Sequence, residues 1–332
     1  MSHPAFQFNM KDGKTVDTFL TPLEQRPPRK KLKQRWRFPK IPFVIACVCL
    51  LGTGTLLYPS TAMWFAAKEQ ANEVDGYLSE VTTVAPEKRA DALTAATDYN
   101  HYLTGGSTSI AAGERLPLAE HSTSDLGYAE QLQADDHGTM ARIKIPSIDV
   151  DLPIYHGTTD AVLEKGVGHL EGSALPVGGQ GTHAVLTGHR GLASAELFTR
   201  LNEVHKGQRF TIEVFGEVLT YQVSSAEVVE PDQTQTLYPT AKGDQITLVT
   251  CTPLGINSHR ILVTGQRILP TPPEDIAEAG KSNDTAGFPW WAVVGSSAVV
   301  ILIGYVWWAG GRFRRGALSS KGSENDRSVQ ND

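Results

Sequence analysis

Of the three cysteines in this 332-residue chain, Cys251 alone lies outside an apolar run. A thiol is a potential nucleophile, but at its reference pKa of about 8.5 only a few per cent is thiolate near neutral pH. Acyl-transfer chemistry at Cys251 therefore calls for a proton acceptor and for a cation or donor where negative charge develops. Arg260 lies nine residues on, in NSHRILVTGQR, and its fixed fork of donors suits a substrate carbonyl or an oxyanion. Among the histidines, His189 has the most open setting, in Gly188-His189-Arg190-Gly191, where glycines permit a tight turn around the ring. His259 competes as a partner, but strand alternation turns it away from the face that carries Arg260. The plain alternatives are a buried, inert thiol and a solvated turn histidine.

Chemistry at these residues needs a scaffold that holds them together. Gln245–Thr250 (QITLVT) is a β-branched run that delivers Cys251 to a strand end, just before Pro253 and Gly255 turn the chain. His183–Thr187 (HAVLT) does the same for His189, and the alternation from Arg260 onward predicts a strand returning beside Cys251. With Ala141–Ile145, Val150–Ile154, Arg209–Phe215, Val218–Glu230 and Arg260–Gln266 these runs predict a mainly β domain. Helices are expected at Thr61–Leu78, Pro86–Leu103 and Ser194–Val204. Pro176–Gly181 (PVGGQG) lacks the Gly-Lys-Ser/Thr of a phosphate loop and reads as a turn. His156, His169, His183, His189 and His205 show no compact ligand spacing, so no metal and no cofactor is expected.

Two apolar blocks frame this domain. Ile41–Tyr58 is eighteen residues without a charge, and Trp290–Trp308 is nineteen with a Trp pair at each end. Both lengths approach the ~20 residues that cross a bilayer core, and Trp favours the interface. Arg29, Lys30, Lys31, Lys33, Arg35, Arg37 and Lys40 precede the first block; Arg312, Arg314, Arg315 and Lys321 follow the second. Positive charge marks the cytoplasmic side, so two passes are expected with both termini inside and Pro59–Pro289 outside. That segment holds 15 Lys+Arg against 30 Asp+Glu, a net of −15 in a chain whose total is −6. An acidic external region argues against nucleic acid as a partner. Cleavage of the first block as a signal peptide is the alternative, with Ala66-Ala67 nearby.

TLVTC followed by TPLGINSHR, with TGHRG upstream, resembles the sortase family of cysteine transpeptidases. ARIKIPSIDVDLPIYHGT (Ala141–Thr158) and GVGHLEGSALPVGGQGTHAVLTGHRG (Gly166–Gly191) are similar to further stretches of that family, so the resemblance runs from about Met140 to Arg267. It implies a closed, roughly eight-stranded β-barrel with N-terminal helices, and Cys251 as nucleophile, His189 as general acid and base, and Arg260 at the oxyanion or substrate. The second apolar block and the TPLGINSHR wording look like the pilin-polymerising class C. The division expected is a basic tail (1–40), a membrane helix (41–58), a helical and lid region (59–139), a catalytic barrel (140–269), a linker (270–289), a second membrane helix (290–308) and a tail (309–332). The activity implied is cleavage of an LPxTG-like signal between Thr and Gly through a thioacyl intermediate, resolved by a pilin lysine. The partners implied are pilins or surface proteins carrying such signals. Anchoring of proteins to peptidoglycan, hydrolysis, and a catalytically idle peptide-binding membrane protein are the alternatives.

In class C the cleft is usually covered by a loop with an Asp-Pro-aromatic motif. Thr104–Ser124 has neither an Asp-Pro nor an aromatic residue. Its Leu116-Pro117-Leu118-Ala119-Glu120 resembles the start of a sorting signal, which suggests a pseudosubstrate lid formed by Leu116 and Pro117 with Glu114 or Glu120 facing Arg260; an ordinary surface loop is the alternative.

Overall fold

A computed structural model describes residue 36 and residues 38–105, 127–134, 138–233, 237, 243–281 and 286–325. Eight strands close into a barrel: β1 (Thr139–Ile145), β2 (Val150–His156), β3 (Val167–His169), β4 (Thr182–Thr187), β5 (Arg209–Val214), β6 (Glu217–Val229), β7 (Asp244–Thr252) and β8 (His259–Arg267). Their order is β1-β2-β3-β4-β7-β8-β6-β5, with β5 pairing back to β1. The β2–β3 and β4–β7 pairs are parallel and the rest antiparallel. Alternate positions send Ile143, Ile154, Leu186, Phe210, Tyr221, Leu248 and Val263 into one core. Phe210 stacks on Tyr221 at 5.5 Å, in space that a Cβ on Gly265 would close, since it would lie 2.5 Å from the Phe210 ring.

The closed barrel is the expected one, and the seven expected strands are all present. β3 escaped detection because three residues, one of them the crowded Gly168, carry no readable alternation. Ser194–Val204 is not a helix but a set of turns ending in a 3-10 turn at Leu201–Glu203. Its buried residues are spaced helically, yet Leu197 adopts φ 41°, and Phe198 N–H donates to His189 O at 3.0 Å rather than within a helical turn.

Helices α1 (Lys40–Thr83) and α2 (Pro86–Gly105) precede the barrel. α1 runs unbroken through Pro59, with the Ser60 and Thr61 hydroxyls both donating back to Leu57 O. Its far end docks on the barrel: Tyr77 OH donates to Met140 O at 3.2 Å and accepts from Phe215 N at 2.9 Å. On α2 the Asn100 amide brackets the Leu175 backbone, with bonds of 3.0 and 2.7 Å. A short helix α3 (Asp160–Leu163) leads into β3; after β8 come α4 (Pro273–Glu278) and the long α5 (Trp290–Asn325).

The chain divides into two units, of which the first spans residues 40–307. Within the first, the Trp291 ring packs against Trp64 and Phe65, and Trp64 Nε1 donates to Gly287 O at 3.0 Å. α1 and the stretch Trp290–Gly311 are long and apolar enough to cross a membrane. Their Ile41, Leu51, Leu56, Val300, Ile301 and Trp307 side chains are largely exposed among the described residues.

Two buried polar clusters tie the barrel wall. Arg142, fully enclosed, donates to Asp151 (2.6 and 2.5 Å), to Glu213 (3.3 and 3.4 Å) and to Lys281 O (2.8 Å). His169 is also fully buried; its Nε2 meets Ala174 O at 2.8 Å, which fixes the proton there and leaves Nδ1 to accept from Tyr128 OH at 2.9 Å. Burial lowers the pKa of His169 to about 4 and raises that of Tyr128 far above the phenol range, so both are neutral at physiological pH.

Candidate functional site

β4, β7 and β8 are consecutive in the barrel, and their ends gather Cys251, His189 and Arg260. Cys251 is the last residue but one of β7 and lies directly opposite Arg260 of β8. Directly opposed residues of an antiparallel pair project to one face, with Cβ atoms ~5 Å apart. His259 pairs with Thr252, one step along, and so faces away; it is exposed and hydrogen-bonded to its neighbour Ser258 at 2.9 Å.

On the other flank, β4 pairs with β7 in parallel, from Thr182 opposite Asp244 to Thr187 opposite Val249. The pairing continues past the strand end: Gly188 N donates to Val249 O at 3.1 Å, and Thr250 Oγ1 donates to Gly188 O at 2.7 Å. This carries His189 to the level of Cys251, on a strand spaced ~4.8 Å from β7. The turn behind His189 is fixed by packing. A Cβ on Gly188 would lie 2.7 Å from the fully buried Phe198 ring, and Gly191, at φ 76°, leaves the space that the Leu254 side chain fills. Only glycine meets both demands at position 191.

Cys251 and His189 are half-buried, so reagents have access while bulk water is limited. Arg260 is 6% exposed. One terminal nitrogen donates to Asn257 O at 2.9 Å and His259 O at 3.0 Å, which pins the β7–β8 loop, while Nε is buried without a partner among the described residues. A buried guanidinium N–H left unbonded is costly, which makes it a candidate donor for a bound oxygen. All three cysteines are free thiols.

A side chain that sequence reasoning passed over completes the site. Arg190 Nε donates to Thr199 O (3.0 Å), one terminal nitrogen to Thr252 Oγ1 (2.8 Å) and the other to Asn202 Oδ1 (2.9 Å). Its place beside His189, and that of Thr252 beside Cys251, was visible in the sequence. Their meeting was not, because it follows from β4 lying against β7 across the intervening β5–β6 hairpin.

Among the described residues no group of three or more His, Cys, Asp or Glu gathers to hold a metal. A cleft of about 720 Å³ between α1, α4 and the β1–β2–β5 wall, lined by Lys144, Asp149, Glu213 and Glu278 among others, contains none of the three site residues. Glu114, Leu116, Pro117 and Glu120, the suggested lid, lie outside the described residues.

A closed mixed barrel presenting Cys, His and Arg at the ends of three adjoining strands defines a class of thiol-bearing barrel proteins. The comparisons make the class specific. A sortase-domain family model matches residues 143–268. Sortase C-1 from Actinomyces oris is 44% identical, with a TM-score of 0.51 over 55% of this chain and 99% of that one. Sortase C1 of GBS pilus island 1 is 40% identical, with a TM-score of 0.54 over 60% of this chain and 92% of that one. Sortase D of Bacillus subtilis is 31% identical over 129 residues, 38% of this chain and 62% of the relative's own length. The chain belongs to the sortase family.

Proposed function

We propose that this protein is a membrane-anchored cysteine transpeptidase of the class C type, which joins pilin subunits. The observation that carries the reading is the placement of Cys251 between Arg260, its register partner on β8, and His189, one strand away on the β4 side. Two of the solved relatives are named sortase C-1 and sortase C1, the second of a pilus island, which favours the pilin-joining class.

In this reading Cys251 Sγ attacks the carbonyl carbon of Thr in an LPxTG-like signal. The Thr–Gly C–N bond breaks, His189 delivers a proton to the departing Gly amine, and the acyl group remains on sulfur as a thioester. A lysine amine of a second pilin then attacks the same carbon, gives up a proton to His189, and expels the Cys251 thiolate as the isopeptide bond forms. Arg260 Nε stabilises the oxygen that gains charge in both steps. The apolar stretches of α1 and α5 hold residues 59–289 outside the cell, with both basic ends inside.

The experiment uses the full chain in detergent or nanodiscs, with an LPxTG peptide and either a pilin-lysine peptide or a peptidoglycan-stem amine. Mass spectrometry should find the acyl group on Cys251 and a lysine-linked product, both missing from Cys251→Ala. Transfer to the stem amine alone would instead indicate anchoring. Release of free acid whichever amine is present would indicate a hydrolase, and absence of any adduct a peptide-binding protein. Labelling of Cys251 in intact cells by a membrane-impermeant maleimide tests the topology; protection until the membrane is opened would overturn it.

A further inference from the structure

We infer that Arg190 is a positioning residue for this site: it clasps the end of the β4 loop to the end of β7 and so sets the His189 ring against the Cys251 sulfur. The inference rests on the transpeptidase reading for its consequence in turnover, but its geometry stands apart from that reading.

Three ties between the two segments share one offset in the chain. Thr187 is paired with Val249, the Thr250 hydroxyl bonds Gly188 O across 62 residues, and the Arg190 guanidinium bonds Thr252 Oγ1 across 62 residues. His189 and Cys251, separated by the same interval, lie between these last two ties. The backbone ladder ends at Gly188, so beyond that point the Arg190–Thr252 bond does what a ladder bond would do. Without it, the His189 turn is held to β7 from one side only.

The partners of Arg190 tie it into the frame of the site. Its Nε and both terminal nitrogens are each engaged, two of them on Thr199 and Asn202 of the segment that folds behind the histidine. Gly191 N also donates to the Thr199 hydroxyl at 3.1 Å. The fork thus joins three pieces of chain: the His189 turn, the segment at 199–202 and the residue that follows Cys251. A lysine keeps the charge but cannot span three acceptors in one plane.

The test uses full-length protein with Cys47 and Cys49 replaced by Ala, so that only Cys251 reacts with iodoacetamide. Arg190→Met should lower kcat for peptide transfer at least tenfold with KM within twofold, and should move the pH midpoint of Cys251 alkylation. Arg190→Lys should restore neither. Thr252→Val should lower kcat in the same direction, and the double variant should be no worse than Arg190→Met alone, because both remove one bond. A melting temperature lowered with kcat and the alkylation profile unchanged would reduce Arg190 to a structural role and overturn the inference, as would full rescue by lysine. If the parent protein shows no turnover, the transpeptidase reading fails, and the alkylation profiles still decide: superposed curves for parent and Arg190→Met would overturn the clasp.

Discussion

Gly188→Ala tests how tightly the histidine is placed. An added Cβ would lie 2.7 and 2.8 Å from two atoms of the Phe198 ring, whereas ordinary contact begins near 3.4 Å, so something must give by about 0.7 Å. Phe198 is fully buried in the core. Overpacking of this kind typically costs about 1–3 kcal/mol, and Phe198 N–H is bonded to His189 O at 3.0 Å, so displacement of the ring is passed to the histidine backbone. A misplacement approaching 1 Å at reacting groups costs on the order of 10²-fold in rate. Gly188→Ala should therefore reduce kcat by ten- to a hundredfold, with a fall in melting temperature of a few degrees, measured by peptide transfer and circular dichroism. Shortening the obstructing side chain, in Gly188→Ala with Phe198→Leu, should recover at least a tenth of the parent rate. Activity within twofold of the parent in the single variant would refute the claim that Phe198 packing sets His189.

Other substitutions read different parts of the structure. His169 is buried neutral with its pKa lowered from 6.5 to about 4, chiefly by desolvation, so the unfolded chain takes up a proton that the folded one refuses; stability should be full above pH 6.5 and fall by up to about 3 kcal/mol as pH drops through 4. Denaturant titrations between pH 7 and 4 should show this slope reduced in His169→Gln, and an identical slope would refute it. Arg142→Met strands the buried Asp151 and Glu213 carboxylates, a loss of about 3–5 kcal/mol; the melting temperature should fall by roughly 10 °C, and a change under about 2 °C would show that the cluster is not what holds β1 to β2 and β5. Arg260→Gln removes the unpartnered Nε and should cut kcat by about 10²–10³-fold, with a loss under fivefold counting against an oxyanion role.

The parts of this molecule that were legible in the sequence are those set by local pattern. Alternation of β-branched residues exposed seven strands, and uncharged length exposed the apolar stretches of α1 and α5. Cys251 and Arg260 were readable together because an antiparallel hairpin with only eight residues between them leaves little freedom of register. The parts that stayed hidden depend on long-range pairing or on a single backbone torsion. β3 is three residues long and takes its identity from lying parallel to β2. Ser194–Val204 carries a helical apolar spacing that Leu197, at φ 41°, interrupts. His169 looked like one more histidine in a glycine-rich stretch; only the contact with Tyr128, 41 residues earlier, shows it to be a core group.

The two arginines of the site illustrate why residue type alone does not assign a role. Arg190 and Arg260 each lie beside a histidine in the sequence, and each ends near the thiol. Arg190 is half-exposed, yet each of its three nitrogens donates one bond to an acceptor of its own chain. Arg260 is buried, where an unmet donor is costly, and yet its Nε has no partner among the described residues. An incoming carbonyl oxygen that acquires charge during attack by Cys251 would supply the missing acceptor, and it would do so most strongly at the transition state. The cost of the empty donor is then removed when charge develops, which favours the transition state over the resting site. Arg190 is tied into the frame, whereas the spare Arg260 donor is the candidate for chemistry. This distinction explains why Arg190→Met should alter the relation between His189 and Cys251, while Arg260→Gln should leave that relation in place and raise the barrier to acyl transfer.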